Sequence, residues 1–356
     1  MIVKQVLKNY IGLIEHLCRA PGLSGFEDEV VRVAADYTKS NNIAETHETN
    51  IRNLYLKRRG NTGGKPVVML DAHTDEVGFM VQAIRPDGCL RFVDVGAMSR
   101  EKIQGQGMLV RNAESRYINA LISSKPPHYA GADNDVYLDV GARTAEEAVN
   151  VYKIRIGEPI VPASPFIWDE ANGNIFAKAL DCRIGCAAVL AALEALAGEE
   201  LAVDVIGALN TQEEIGGRGA KVAAQTLLPA AAIVFEGAPA DDTFNTGYPP
   251  QTALKHGPML RHIDGSMIAN PRFMRFALDL AKNNGIEVQE AIRSGSGTNG
   301  GVIHQTGEGI PTIVISIPVR YAHAPLGISA YADFEGAARL AIALLRTLNA
   351  ECIAGF

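Results

Sequence analysis

Apolar and polar positions along the chain follow two different rhythms. Val6, Leu7, Tyr10, Ile11, Leu13, Ile14 and Leu17 recur every three to four residues, the spacing of one helix face, and Pro21-Gly22 ends that helix. Ser24 followed by Glu27 reads as a capping box opening a second helix, with Val30, Val33, Ala34 and Tyr37 along one side. Residues 51–58 read as a strand, 60–65 as a turn, and 67–71 as a strand apolar enough to be buried on both faces. From about 77 to 167 the rhythm shortens to the β-like runs VGFMVQAI, CLRFVDV, GMLV, RYINALIS and VYLDVGA, with Pro86-Asp87-Gly88 as a turn and only 144–152 helical. The longer rhythm then resumes. Strands at 174–178, 201–210, 230–235 and 312–317 alternate with helices at 184–197, 219–227, 271–284 and 333–348, and SGSGTNGG at 294–301 forms a glycine-rich turn. The prediction is an α/β domain made of residues 1–76 and 168–356, interrupted by a β-rich domain over 77–167.

Composition bounds the function. With 356 residues, 47% of them hydrophobic, the chain can bury a large core. A formal net charge of −7 argues against a nucleic-acid partner, which would want a basic patch. No stretch of about 18 apolar residues spans a membrane, and the N-terminal residues carry charge too early for a signal peptide. The five cysteines are scattered, odd in number and without a C-x-x-C pair, which fits a reducing cytoplasm.

The chemistry gathers where the apolar strands end. The stretch VVMLDAHTDEVG delivers Asp71, His73, Asp75 and Glu76 at the carboxyl end of its strand, where open α/β sheets keep their sites. Asp181 in AKALDCRIG, Glu213 and Glu214 in NTQEEIGG, Glu236 in IVFEG and His323 in RYAHAP occupy comparable positions. Each has a bland reading: Asp181 as a helix cap, the Glu pair as a solvated turn, Glu236 as a surface acid, His323 as a loop histidine. Taken together, two imidazoles and several carboxylates match what a pair of divalent ions requires. Adjacent Glu residues are useful there, because one can face a metal while the other handles a proton.

His73-Thr-Asp75-Glu76-Val-Gly, Lys178-Ala-Leu-Asp181-Cys-Arg183-Ile-Gly, Thr211-Gln-Glu213-Glu214-Ile-Gly and Arg320-Tyr-Ala-His323 resemble, in order and spacing, the dinuclear aminopeptidases of the M42 (TET-type, glutamyl-aminopeptidase-like) family. Gly297-Thr-Asn-Gly-Gly and Val140-Gly-Ala-Arg143 fit as well. The resemblance implies a mixed-sheet α/β/α catalytic domain, like that of zinc peptidases, with an inserted small β-barrel-like dimerisation domain. It also implies two divalent metal ions per subunit, zinc or cobalt with manganese as an alternative. Carried over residue by residue, it makes Asp181 the bridging ligand, His73 and Glu236 the ligands of one ion, Glu214 and His323 those of the other, Glu213 the general base, and Asp75 the carboxylate that orients His73. Short peptides are the implied substrates, and dimers closing into a tetrahedral dodecamer the implied assembly. The chain departs from the family's commoner pattern at Glu236 and Asn299, where Asp is more usual, at Cys182, where a second Asp often follows the bridging one, and at Ala324, where Ser often follows the His. Three rivals stand beside this reading: a carboxypeptidase or N-deacylase using the same metals, a metal-binding assembly protein without catalysis, and, against the histidines, a sugar-cleaving pair of acids. The apolar surplus of the inserted segment (Phe79, Val81, Phe92, Val93, Ile118, Leu121) predicts that some of these residues face a partner.

Overall fold

The computed structural model describes residues 7–98, 103–124 and 136–356. Val6, which the spacing assigns to the first helix, lies outside them. That helix, α1 (Ile11–Arg19), buries Leu13, Ile14, Leu17 and Cys18, as its periodicity requires. Helix α2 (Asp28–Ser40) buries Val30, Val31 and Ala34 but is not opened by a capping box: Glu27 sits at its N-cap, and no side chain caps it. Ser24 and Glu27 have other partners, described below. An edge strand β1 (Ala44–Glu48) follows, unread in the sequence because AETHE is almost wholly exposed and lacks an apolar face. Then come β2 (Leu54–Arg58) and β3 (Val67–His73).

The chain next builds a barrel from β4 (Gly78–Ile84), β5 (Leu90–Val95), β6 (Gly107–Arg111), β7 (Tyr117–Ile122), β8 (Leu138–Asp139) and β9 (Pro159–Pro162). It closes in the order β4-β5-β8-β7-β6-β9. Phe79, Val81, Leu90, Phe92, Met108, Val110 and Ile160 fill its interior, with the rings of Phe79 and Phe92 4.6 Å apart. Of the apolar surplus, Phe79, Val81 and Phe92 therefore serve the barrel's own core, Ile118 packs against it, and Val93 and Leu121 are exposed. Helix α3 (Ala145–Asn150) is capped by Thr144, whose hydroxyl accepts from the Glu147 amide.

Strands β10 (Ile167–Asp169), β11 (Asn174–Ala177), β12 (Asp204–Asn210), β13 (Ala231–Pro239), β14 (Met259–Ile263), β15 (Gln289–Ile292), β16 (Thr312–Arg320) and β17 (Gly327–Ala330) join β1–β3 in an eleven-stranded mixed sheet. Its path runs β1-β2-β12-β3-β13-β16-β17-β11-β10, with β14 and β15 branching from β16. The centre, β12-β3-β13-β16, is parallel, and the strands flanking it are antiparallel. In β3 and β13 consecutive residues are buried, so helices cover both faces of the sheet. The Ala-rich α4 (Leu180–Ala195) is the most enclosed of them, packed on β3 and β13 and against α1 and α8 (Tyr331–Thr347). Helices α5 (Arg218–Leu227), α6 (Pro271–Asn283), α7 (Gly300–Ile303) and α9 (Ala350–Ala354) complete the described residues. Strands β13 and β16 run past the predicted ends, since parallel pairing carries them through Glu236↔Ser316 to Pro239↔Val319. Asn210 lies opposite His73, so β12 and β3 deliver their chemistry at one level.

Candidate metal centre

The seven predicted site residues converge at the carboxyl ends of the parallel strands. Asp181 is the centre. It sits in the first turn of α4, where the backbone at Asp181 and Cys182 is non-helical and no side chain caps the helix, so it does not act as an ordinary helix cap. Gly237 of β13 lies directly behind it: a Cβ there would come within 2.5 Å of the Asp181 Cα, so glycine is required for the approach. The two Asp181 oxygens then diverge, Oδ1 lying 3.2 Å from His73 Nε2 and Oδ2 3.2 Å from His323 Nε2. Glu236 Oε1 stands 3.3 Å from His73 Nε2, and Glu214 Oε2 3.3 Å from His323 Nε2. The result is two half-sites, each with one imidazole and one terminal carboxylate, sharing a third carboxylate.

Each histidine is aimed from behind. His73 Nδ1 faces Asp75 Oδ1 at 3.2 Å, and His323 Nδ1 faces the Ala97 carbonyl at 3.1 Å. A donating Nδ1–H leaves Nε2 as the lone-pair nitrogen, which is how a ligating imidazole is usually held. That lone pair points at carboxylate oxygens, which also only accept. A proton on Nε2 or a cation between the groups resolves the conflict. Accordingly, burial would lower the pKa of both imidazoles, but hydrogen bonds to Asp181 and its neighbours outweigh it, holding His73 well above its ordinary value and His323 at about 11. Burial likewise opposes ionisation of Asp181, yet the two histidines keep it below the usual carboxylate range. Burial and the Asp181 charge push Glu236 up to about 8. Glu214 Oε1 and Glu236 Oε2 are buried without a hydrogen-bond partner. Orphan carboxylate oxygens beside facing lone pairs fit metal cations, and the groups His73-Asp181-Cys182-Glu236, His73-Glu213-Glu214 and Asp181-Glu214-His323 each bring their donor atoms within 4.8 Å of one another.

Glu213 belongs to the second of these groups but takes no part in the two imidazole–carboxylate pairs. Its side chain bonds to neither imidazole, and burial, reinforced by the Glu236 charge, raises its carboxyl well above the ordinary range. Asp75 does more than the sequence indicated. Besides facing His73, it accepts from the backbone amides of Glu213 at 3.0 Å and Glu214 at 3.1 Å and from the Ser24 hydroxyl at 2.6 Å. Glu27 braces the same turn by accepting from the Gln212 amide. The apparent capping box is therefore a clamp on the Glu213-Glu214 turn. Glu76 turns away and accepts from Lys178 and from Arg183, which also donates to the Leu17 and Ala20 carbonyls, so the start of α4 is anchored on both sides of Asp181. Cys182 Sγ donates to the Phe235 carbonyl at 3.4 Å.

A cavity of about 690 Å³ opens beside these groups, lined by Asp181, Glu213, Glu214 and His323 on one wall and by Arg261, Ser266, Thr298 and Gln305 on others. Arg261 is 3% exposed; it meets Asp264 at 3.2 Å and Ser316 Oγ at 3.4 Å, and its Nε has no partner. Nothing in the spacing of the sequence marks Arg261 or Ala97, because both reach the site through tertiary packing alone.

The model of the M42 glutamyl aminopeptidase family matches residues 52–340. A glutamyl aminopeptidase of Lactococcus lactis subsp. cremoris is 31% identical over 353 residues, covering 96% of this chain and 97% of that protein. Among solved structures, a TET aminopeptidase from a marine-sediment Thaumarchaeota archaeon superposes with a TM-score of 0.91 at 34% identity, over 97% of this chain and 98% of that one. The TET1 peptidase of Pyrococcus horikoshii, described as able to assemble into a tetrahedron or a large octahedral shell, superposes with a TM-score of 0.83 at 26% identity, over 96% of this chain and 100% of that one. The family match takes in every residue of the two half-sites, and the chain belongs to the M42 glutamyl aminopeptidase family of peptide-bond hydrolases.

Proposed function

We propose that the chain removes the N-terminal residue from short peptides with two divalent metal ions and Glu213 as general base. The observation that carries this reading is the divided Asp181 carboxylate, one oxygen toward His73 and one toward His323, each with its own terminal Glu. Asp181 would bridge, His73 and Glu236 would hold one ion, and Glu214 and His323 the other; nitrogen and oxygen donors suit zinc, cobalt or manganese. When bound, such a pair supplies Lewis acidity at the scissile carbonyl and acidifies the water that attacks it. Glu213, free of the ligand pairs, takes that water's proton and returns it to the leaving amine. Asp75 holds both the His73 ring and the Glu213 amide, so the base and one half-site move as a unit. A substrate's free α-amine would bind one ion as a neutral ligand or meet a nearby carboxylate.

The discriminating assay compares peptides with a free N-terminus against the same peptides N-acetylated, over first residues Glu, Asp, Leu and Lys. Cleavage of the free-amine substrates and not of their acetylated forms is the expected result. Turnover of the acetylated peptides at equal rate would assign the site to an N-deacylase, and release from the other end to a carboxypeptidase.

Glu236→Asp should retain activity, because Asp keeps the carboxylate one methylene shorter, whereas Glu236→Ala should lose about one metal ion per chain and most turnover. Elemental analysis with parallel kinetics checks both. Equal activity in wild type and Glu236→Ala removes Glu236 from the centre.

Residues 1–76 and 168–356 would form the catalytic domain and 77–167 the domain that pairs two chains, with six such dimers closing a tetrahedral dodecamer. The exposed Val93, Leu121, Val149 and Val151 on the barrel and its helix support a partner there. Light scattering should give a particle of about twelve subunits that digests a short peptide but spares a folded protein with the same N-terminal sequence. A monomer active on both rules out the shell and leaves the metal chemistry intact. The five free cysteines fit work in a reducing cytoplasm.

A further inference from the structure

Asp71 lies two residues before His73 on β3, fully buried, and the chemistry above gives it no task. Its oxygens are taken by two different amides. Asn210 Nδ2 donates to Oδ1, and Asn299 Nδ2 donates to Oδ2 at 3.0 Å. All three side chains are 1% exposed or less. They belong to separate segments: β3, the last residue of β12, and the end of the glycine-rich turn. Asn210 leads within three residues to Glu213. Asn299 directly follows Ser296, Gly297 and Thr298, which line the same cavity as Glu213 and Glu214, and its own carbonyl accepts from Val302 and Ile303 to start α7.

The atom types explain the choice of residues. A carboxylate only accepts, and each amide NH₂ only donates, so one buried Asp between two Asn is satisfied without a cation. A second carboxylate at 299 would face Asp71 in a dry site with Asn210 alone to serve both.

We infer that Asp71 is a positioning residue that fastens the Glu213-Glu214 turn and the 294–301 turn to the strand bearing His73, setting the two cavity walls in one register. The catalytic sense of this rests on the cavity being the substrate site; the mechanical link does not.

The test uses the full-length protein and three variants, Asp71→Asn, Asn299→Asp and the double exchange. Hydrogen exchange is followed in 211–217 and 294–301, alongside metal content, kcat and KM. Asn299→Asp should speed exchange in both turns while the rest of the sheet stays protected, and should lower kcat/KM at least about tenfold, since small misplacements of substrate against catalytic groups cost that much or more. The double variant restores a carboxylate–amide pair and should recover both turns and kcat/KM to within about threefold. Metal content should stay at the wild-type level throughout. Loosening of one turn only, exchange rising throughout the chain, or a double variant no better than Asn299→Asp overturns the inference. A wild type that cleaves no peptide sinks the aminopeptidase reading instead, and the exchange data still decide the link.

Discussion

Glu213→Gln is expected to lower kcat by at least about 10²–10⁴-fold while metal content stays at the wild-type level. The amide preserves the shape of the side chain, and the Glu213 backbone amide still donates to Asp75, so the turn should keep its place. What is lost is the ability to take a proton, in a residue that neither imidazole occupies and whose carboxyl burial holds well above its ordinary value. Steady-state kinetics with elemental analysis of the same preparation checks this. Retention of more than about a tenth of the activity would remove Glu213 as the base, since general-base losses are larger than that.

Asp181→Ala should fail by a different route. Both imidazoles lose the acceptor they share at 3.2 Å, and both half-sites fall one donor short. The purified variant should carry fewer than two ions per chain and show no measurable turnover, and added metal should not restore it at concentrations that saturate the wild type. Two ions retained per chain would place the bridge elsewhere. The two variants separate cleanly: one keeps metal and loses the proton acceptor, the other loses the metal itself.

Much of this architecture is legible in the sequence because it rests on local patterns. Continuous apolar runs announced β3, β12 and β13, and alternating short runs announced β4 to β8, so the barrel interrupting an α/β sheet could be expected. The candidate site residues are legible because polar groups end several apolar strands together, where open α/β sheets keep their sites. Edge strand β1 was missed because its AETHE sequence has no buried face. Ser24 and Glu27 matched a capping pattern that the structure uses otherwise, since their oxygens serve Asp75 and Gln212 across the fold. Asp71 reads from the sequence only as one more polar group at the strand end, because its partners Asn210 and Asn299 meet it across the fold. Contacts of that kind depend on which loops meet, and a single sequence does not encode sequence separations of 139 and 228 residues as any local signal.

Ala97 contributes a single carbonyl to His323, and it does so from the connection between β5 and β6, within the barrel's excursion. His323 has little else behind it: it is 35% exposed and holds a left-handed backbone at φ +61°, a conformation costing on the order of 1–3 kcal/mol that its surroundings must impose. The excursion is therefore not interchangeable cargo on the hydrolase. A chimera that grafts a relative's barrel onto this sheet inherits that relative's loop at this point, and a shift of one residue there turns the carbonyl away and frees the ring to rotate. A barrel transplanted onto this sheet must therefore reproduce the backbone at Ala97.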